Sequence, residues 1–104
     1  HEKEKLWKEL GLKGAMRERS DAEIVSAALR ITLRSRSVFC IELIIDYLYT
    51  ADMFKGDPYQ YRVNKPGTVA KTNWSLTMPM PLEDLLKHKV CGNIKKLIAD
   101  SGRA

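Results

Sequence analysis

With 104 residues, 44% of them hydrophobic, the chain holds one domain's worth of material at most and enough apolar side chains for a modest core. The net charge of +5 and pI near 9.3 permit an anionic partner, but 18 basic residues are interspersed with 13 acidic ones. No basic run and no nucleic-acid motif with interleaved aromatics stands out, so a solvated surface is the better reading.

The cysteines, Cys40 and Cys91, form neither a disulfide framework nor a metal-ligand spacing. With His1 and His88 as the only histidines, nothing calls for a metal or a cofactor. No signal pattern and no apolar run of membrane-spanning length is present, and a reduced, cytoplasmic setting fits best.

In chain order, residues 2–12 place Leu6, Trp7 and Leu10 on one side of a short amphipathic helix that ends at Gly11 or Gly14, with Trp7 facing the core. Ser20 followed by Glu23 reads as a capping box. From there Ala22, Ile24, Val25, Ala28, Leu29, Thr32 and Leu33 keep helical spacing to about Arg34 or Ser35. Arg30, Arg34 and Arg36 suit the negative end of that helix's dipole. Residues 37–41 are apolar on both faces, the pattern of a buried parallel strand, with Cys40 as a buried thiol. Residues 43–49 follow as a helix that Asp46 helps to start; Glu42 and Asp46 are read as structural rather than catalytic acids.

Residues 53–61 form an exposed connector with Phe54, Tyr59 and Tyr61 as anchors. Beyond residues 61–81, a helix over 82–88 carries Glu83 and Asp84 in its first turn, and a last helix over 93–99 is closed by Gly102.

The stretch over residues 61–81 is the part that looks like a site. Pro66 fixes its own φ and keeps Lys65 out of the helical region, while Gly67 can take positive φ, so Asn64-Lys65-Pro66-Gly67 is a turn. With Val63 pointing inward, Arg62 and Asn64 would share one face of an extended segment. Asn73-Trp74 sets an amide beside a flat apolar ring, the two surfaces a sugar requires.

Arg62-Val63-Asn64-x-Pro66-Gly67-Thr68, then Asn73-Trp74, then Pro79-x-Pro81-Leu82-Glu83-Asp84-Leu85-Leu86, resembles the C-terminal part of amylomaltases, the 4-alpha-glucanotransferases also called disproportionating enzymes. The run around Val38-Phe39-Cys40-Ile41-Glu42 and Asp46-Tyr47-Leu48 is similar to that family's last barrel strand and the helix after it. Where many members follow Asn-Trp with an aromatic and an arginine, this chain has Ser75-Leu76-Thr77.

The resemblance implies one fragment over residues 1–104, mainly α with one or a few short strands, excised from the C-terminal part of a (β/α)8 barrel that needs about 250 residues. It implies transfer of α-1,4-glucan segments between malto-oligosaccharides with retention, and Arg62, Asn64, Pro66 and Trp74 as the substrate-binding residues. None of the family's catalytic carboxylate motifs is present, so the fragment is expected to be inactive and to depend on the remainder of the parent enzyme. Exposed faces left by excision favour a homo-oligomer or domain swap. The runner-up is a small basic helical module that binds RNA or an acidic protein through Arg30, Arg34, Arg36, Lys95 and Lys96.

Overall fold

A computed structural model describes residues 1–103. It contains α1 (Glu2–Glu9), α2 (Ala22–Arg34), α3 (Ile44–Tyr49), a 3-10 turn at Pro58–Tyr61, α4 (Leu82–Lys87) and α5 (Lys89–Ser101). α2 packs against α3 and α5, and α4 lies against α5.

The main cluster joins Leu48, Phe54, Leu85 and Val90, with Ile45, Met78, Met80 and Ile94 packed around it. Leu48 and Val90 have no exposed surface, so α3 and α5 are fixed to each other through side chains that water does not reach. Ala27, Leu29 and Leu33 bury the inner stripe of α2.

α2 starts one residue later than the capping box predicts. Asp21, not Ser20, is the cap: its backbone is extended and its carboxylate accepts from the Ile24 N–H at 3.0 Å. That shift places Glu23 off the capping-box position, and it pairs instead with Arg17, which also bonds Asp21. Arg17 lies 5.3 Å from the Trp7 ring centroid as well, so one guanidinium links α1 to the start of α2. Trp7 is half-buried against this contact, and α1 buries no residue fully.

The expected strand over residues 37–41 is absent; among the described residues there is no strand. A strand requires a neighbour to take up its backbone groups, and none lies beside this segment. Val38, Phe39 and Ile41 are instead 86%, 82% and 90% exposed. Cys40 is half-buried rather than buried, and its thiol donates to Glu42 Oε1 at 3.4 Å. The connector before the loop is exposed over residues 55–60, as expected, and Phe54 and Tyr61 anchor it, whereas Tyr59 is exposed and does not. Phe54 is in the core and the Tyr61 ring sits 4.7 Å from it, while the Tyr61 hydroxyl donates to the Lys55 carbonyl.

The last helix begins at Lys89, earlier than predicted, because the His88 ring accepts from the Val90 N–H at 3.2 Å and caps it. Gly102 closes the helix at φ +79°, as its position implies. The next residue, Arg103, donates to the carbonyls of Leu33, Ser35 and Ser37, binding the chain's end to the C-terminus of α2.

The chain exposes 8405 Å², against about 6,000 Å² for a folded monomer of its mass. Its radius of gyration is 15.3 Å, against about 13 Å for a compact domain of this length. Much apolar surface therefore lacks a partner.

The Asp21 cap generates a test. The Ile24 N–H bond, with the Arg17 guanidinium, holds the Asp21 carboxyl below its usual range. A depressed folded value means the stabilisation is complete above the unfolded value of about 4 and is lost as pH falls through the folded one. Asp21→Ala is expected to lower stability by about 1 kcal/mol at neutral pH, measured by urea unfolding, with a smaller gap in strong acid.

Candidate functional site

The loop after the 3-10 turn folds as the residues dictate. Pro66 and Gly67 occupy the two central positions of a turn closed by the Thr68 N–H bonding the Lys65 carbonyl at 3.3 Å, with Gly67 at φ +77°. This is the arrangement of a type II turn, in which proline presets the first position and glycine tolerates the second. The Thr68 hydroxyl donates to the same Lys65 carbonyl at 2.7 Å.

Asn73 braces the turn from the far side of the loop. Its carbonyl oxygen accepts from the Lys65 N–H at 3.1 Å and its amide donates to the Thr68 carbonyl at 3.0 Å. The next residue takes positive φ, 60° at Trp74, which directs its N–H to the Val63 carbonyl at 2.6 Å. The Asn-x-Pro-Gly-Thr and Asn-Trp elements thus form one hydrogen-bonded unit. The Asn73 amide is engaged within it, while the Trp74 ring is 75% exposed.

That unit supplies one wall of a groove of about 560 Å³. Val63, Asn64 and Pro66 line it from the loop, Pro58 and Tyr61 from the 3-10 turn, Ile45, Asp46 and Tyr49 from α3 with Leu43 just before it, and Val25 from α2 with Ser20 ahead of that helix. Of the sequence-derived residues, Asn64 and Pro66 meet there. Arg62 does not share a face with Asn64: its guanidinium lies 4.7 Å from the Tyr59 ring centroid, outside the groove lining. Trp74 also lies outside the lining and reaches it through its backbone bond to Val63.

Nine of the lining residues were not proposed as site residues from the sequence, and those with polar groups include Asp46, Tyr49 and Tyr61. Asp46 and Tyr49 are three apart on α3, the spacing that puts side chains on one helix face, which is the signal that could have found them. Burial pushes the Asp46 carboxyl above the usual carboxylate range, with Glu42 adding to the shift. The groove therefore joins apolar and aromatic walls to one amide and one carboxyl, surfaces able to meet both faces of a polyhydroxylated ring.

Arg30 and Lys96 line a separate hollow of about 240 Å³ that also contains Asp100 and Asn93. Among the described residues no group of His, Cys, Asp and Glu could hold a metal ion, and no helix is long and apolar enough to cross a membrane.

The family resemblance is seen in known proteins. The chain is similar in sequence to 4-alpha-glucanotransferases: that of Chlamydia muridarum is 38% identical over 61 residues, which is 58% of this chain and 12% of that protein. The enzyme of Chlamydia pneumoniae is 38% identical over 72 residues, 67% of this chain and 14% of that one. The enzyme of Chlamydia trachomatis matches over 61 residues, also at 38%. The chain thus spans only 12% to 14% of the length of these relatives. No family model and no solved structure matches it.

The Asp46 environment predicts a pH dependence. Its folded value is raised, so the ionised carboxylate costs stability at neutral pH, and the cost is relieved as pH falls through the folded value toward the unfolded one near about 4. Asp46→Asn should unfold at an equal or higher urea midpoint than the parent sequence at pH 7, with the gap closing in mild acid. A loss of stability confined to neutral pH would mean that the carboxylate holds an attractive contact.

Proposed function

We propose that this chain is part of a 4-alpha-glucanotransferase that transfers α-1,4-glucan segments between malto-oligosaccharides with retention. The observation that carries the reading is the 38% identity to three enzymes of that name. In it the chain is the C-terminal part of a (β/α)8 catalytic domain, and residues 37–41 become the last strand when the preceding strand lies beside them.

Within that reading, Asn64 and Pro66 form the rim of the sugar cleft. Asn64 offers a donor and an acceptor to glucose hydroxyls, and Pro66 sets the wall against which the ring lies. Arg62 stands at the edge, held over Tyr59, and Trp74 presents an exposed ring next to the rim. Their work is positioning, where a displacement of about 1 Å can lower a rate roughly a hundredfold. A braced turn suits that work because it leaves the rim little freedom.

Retention needs two carboxyl groups about 5 Å apart across the scissile bond. In this reading both come from the remainder of the enzyme, and the chain alone is inactive. The rival RNA-binding module draws less support, since Asp100 shares the hollow of Arg30 and Lys96 and dilutes its charge.

A maltotriose titration followed by NMR tests the reading. The expected result is millimolar binding that shifts the Asn64 side-chain amide and the Trp74 indole N–H and is insensitive to salt. No transfer products should form in the same sample. Absence of shifts at both residues, together with salt-sensitive RNA shifts around Arg30 and Lys96, would favour the rival.

A further inference from the structure

Asp46 is the one charged side chain in the lining of the groove, whose other walls are apolar, aromatic or neutral polar. Among the described residues neither a hydrogen bond nor an opposite charge acts on its carboxyl. Burial and the charge of Glu42 both oppose its ionisation, and Glu42 itself lines an adjoining hollow rather than the groove. A half-buried carboxyl in such a setting costs stability and returns none in the single chain, the pattern expected of a group kept for a ligand.

We propose that Asp46 is a specificity-determining residue of this groove and accepts hydrogen bonds from the neighbouring C2 and C3 hydroxyls of one glucosyl unit. Its role rests on the glucan reading and sets which hydroxyls the groove recognises. Inside an α-1,4-linked chain, C1 and C4 are taken up by the linkages. The free hydroxyls are the adjacent pair at C2 and C3 and, across the ring, the single one at C6. An ionised carboxylate only accepts, through two oxygens, and so matches two adjacent hydroxyl donors. An amide carries a donor group and an acceptor, and so matches a lone hydroxyl.

Asp46 on α3 and Asn64 on the braced loop belong to different walls of the groove. A ring seated between them turns its C2 and C3 edge to Asp46 and its C6 edge to Asn64. Tyr49 and Tyr61, in the same lining, supply aromatic surface for the C–H faces of the sugar. No cation lines the groove, so an anionic ligand meets only the repulsion of Asp46 and a neutral hydroxylated one is favoured. Loss of either hydroxyl leaves a partly desolvated carboxylate oxygen without a donor, which a site built on hydrogen bonds penalises heavily.

Maltotriose and an analogue lacking the C2 hydroxyl on every residue, each titrated into the 104-residue chain, test this assignment. NMR follows the Tyr49 backbone amide and the Asn64 side-chain amide. The parent chain is expected to bind the deoxy analogue about tenfold more weakly than maltotriose. Asp46→Ala should bind maltotriose about tenfold more weakly than the parent and no longer distinguish the two sugars, because the acceptor for that hydroxyl is gone. Asp46→Asn, which keeps the shape and one acceptor oxygen, should fall between. Circular dichroism matching the parent chain ensures that each variant is folded, and the comparison of the two sugars on the parent chain needs no variant. The same preference for maltotriose in the parent and in Asp46→Ala overturns the role of Asp46 and leaves the glucan reading standing, as does equal binding of both sugars by the parent. Absence of maltotriose binding by the parent chain overturns the glucan reading, and the role of Asp46 with it.

Discussion

Burial of Leu48 against Val90 is the contact on which the rest of the chain depends. Both side chains are fully enclosed, and the remaining members of their cluster, Phe54 and Leu85, lie on the segments entering and leaving the loop region. Without it, α3 and α5 lose their direct contact, and the 3-10 turn loses the Phe54 ring that Tyr61 rests on. The core is small for the chain's length, and the surplus of exposed apolar surface follows directly. A chain that buries this little is poorly insulated from partners, whether the rest of an enzyme or a copy of itself.

The loop is an outgrowth of that core with its own internal order. Tyr61 anchors its entry, Asn73 joins its two halves, and the Trp74 N–H returns to Val63. These bonds explain how a segment with few buried side chains can hold Asn64 and Pro66 at fixed places on a groove wall. The brace also defines what Asn73 does: an amide engaged with Lys65 and Thr68 holds the shape of the rim, and the groups left to meet a ligand are those of Asn64, Asp46 and the tyrosines.

Much of this was legible in the residues. Helical periodicity located α2 and the amphipathic first segment, and Pro66-Gly67 encoded its turn, because these are local preferences that need no distant partner. The cap moved from Ser20 to Asp21 since neighbouring residues of equal capping ability are separated only by the third partner, Arg17, which local sequence does not place. The strand over residues 37–41 failed for a different reason. Its apolar pattern encodes a preference for pairing, and pairing needs a second strand that the chain does not contain. The groove was partly legible: turn chemistry located the turn that carries Asn64 and Pro66, and the family resemblance implied that they belong to a site. Tyr61 and Asp46 were assigned to scaffold because only the tertiary approach of α3 to the loop makes them neighbours.

The central claim is that Asn73 makes the loop one rigid unit, and amide hydrogen exchange of the unmodified chain measures it most directly. The Lys65 and Trp74 amides, bonded to Asn73 and Val63, are predicted to exchange clearly more slowly than those of Val69 and Lys71 in the same loop, which have no such partner among the described residues. Equal, fast exchange across all four would show a loop that opens freely, and a fixed cleft rim at Asn64 and Pro66 would then have no physical basis.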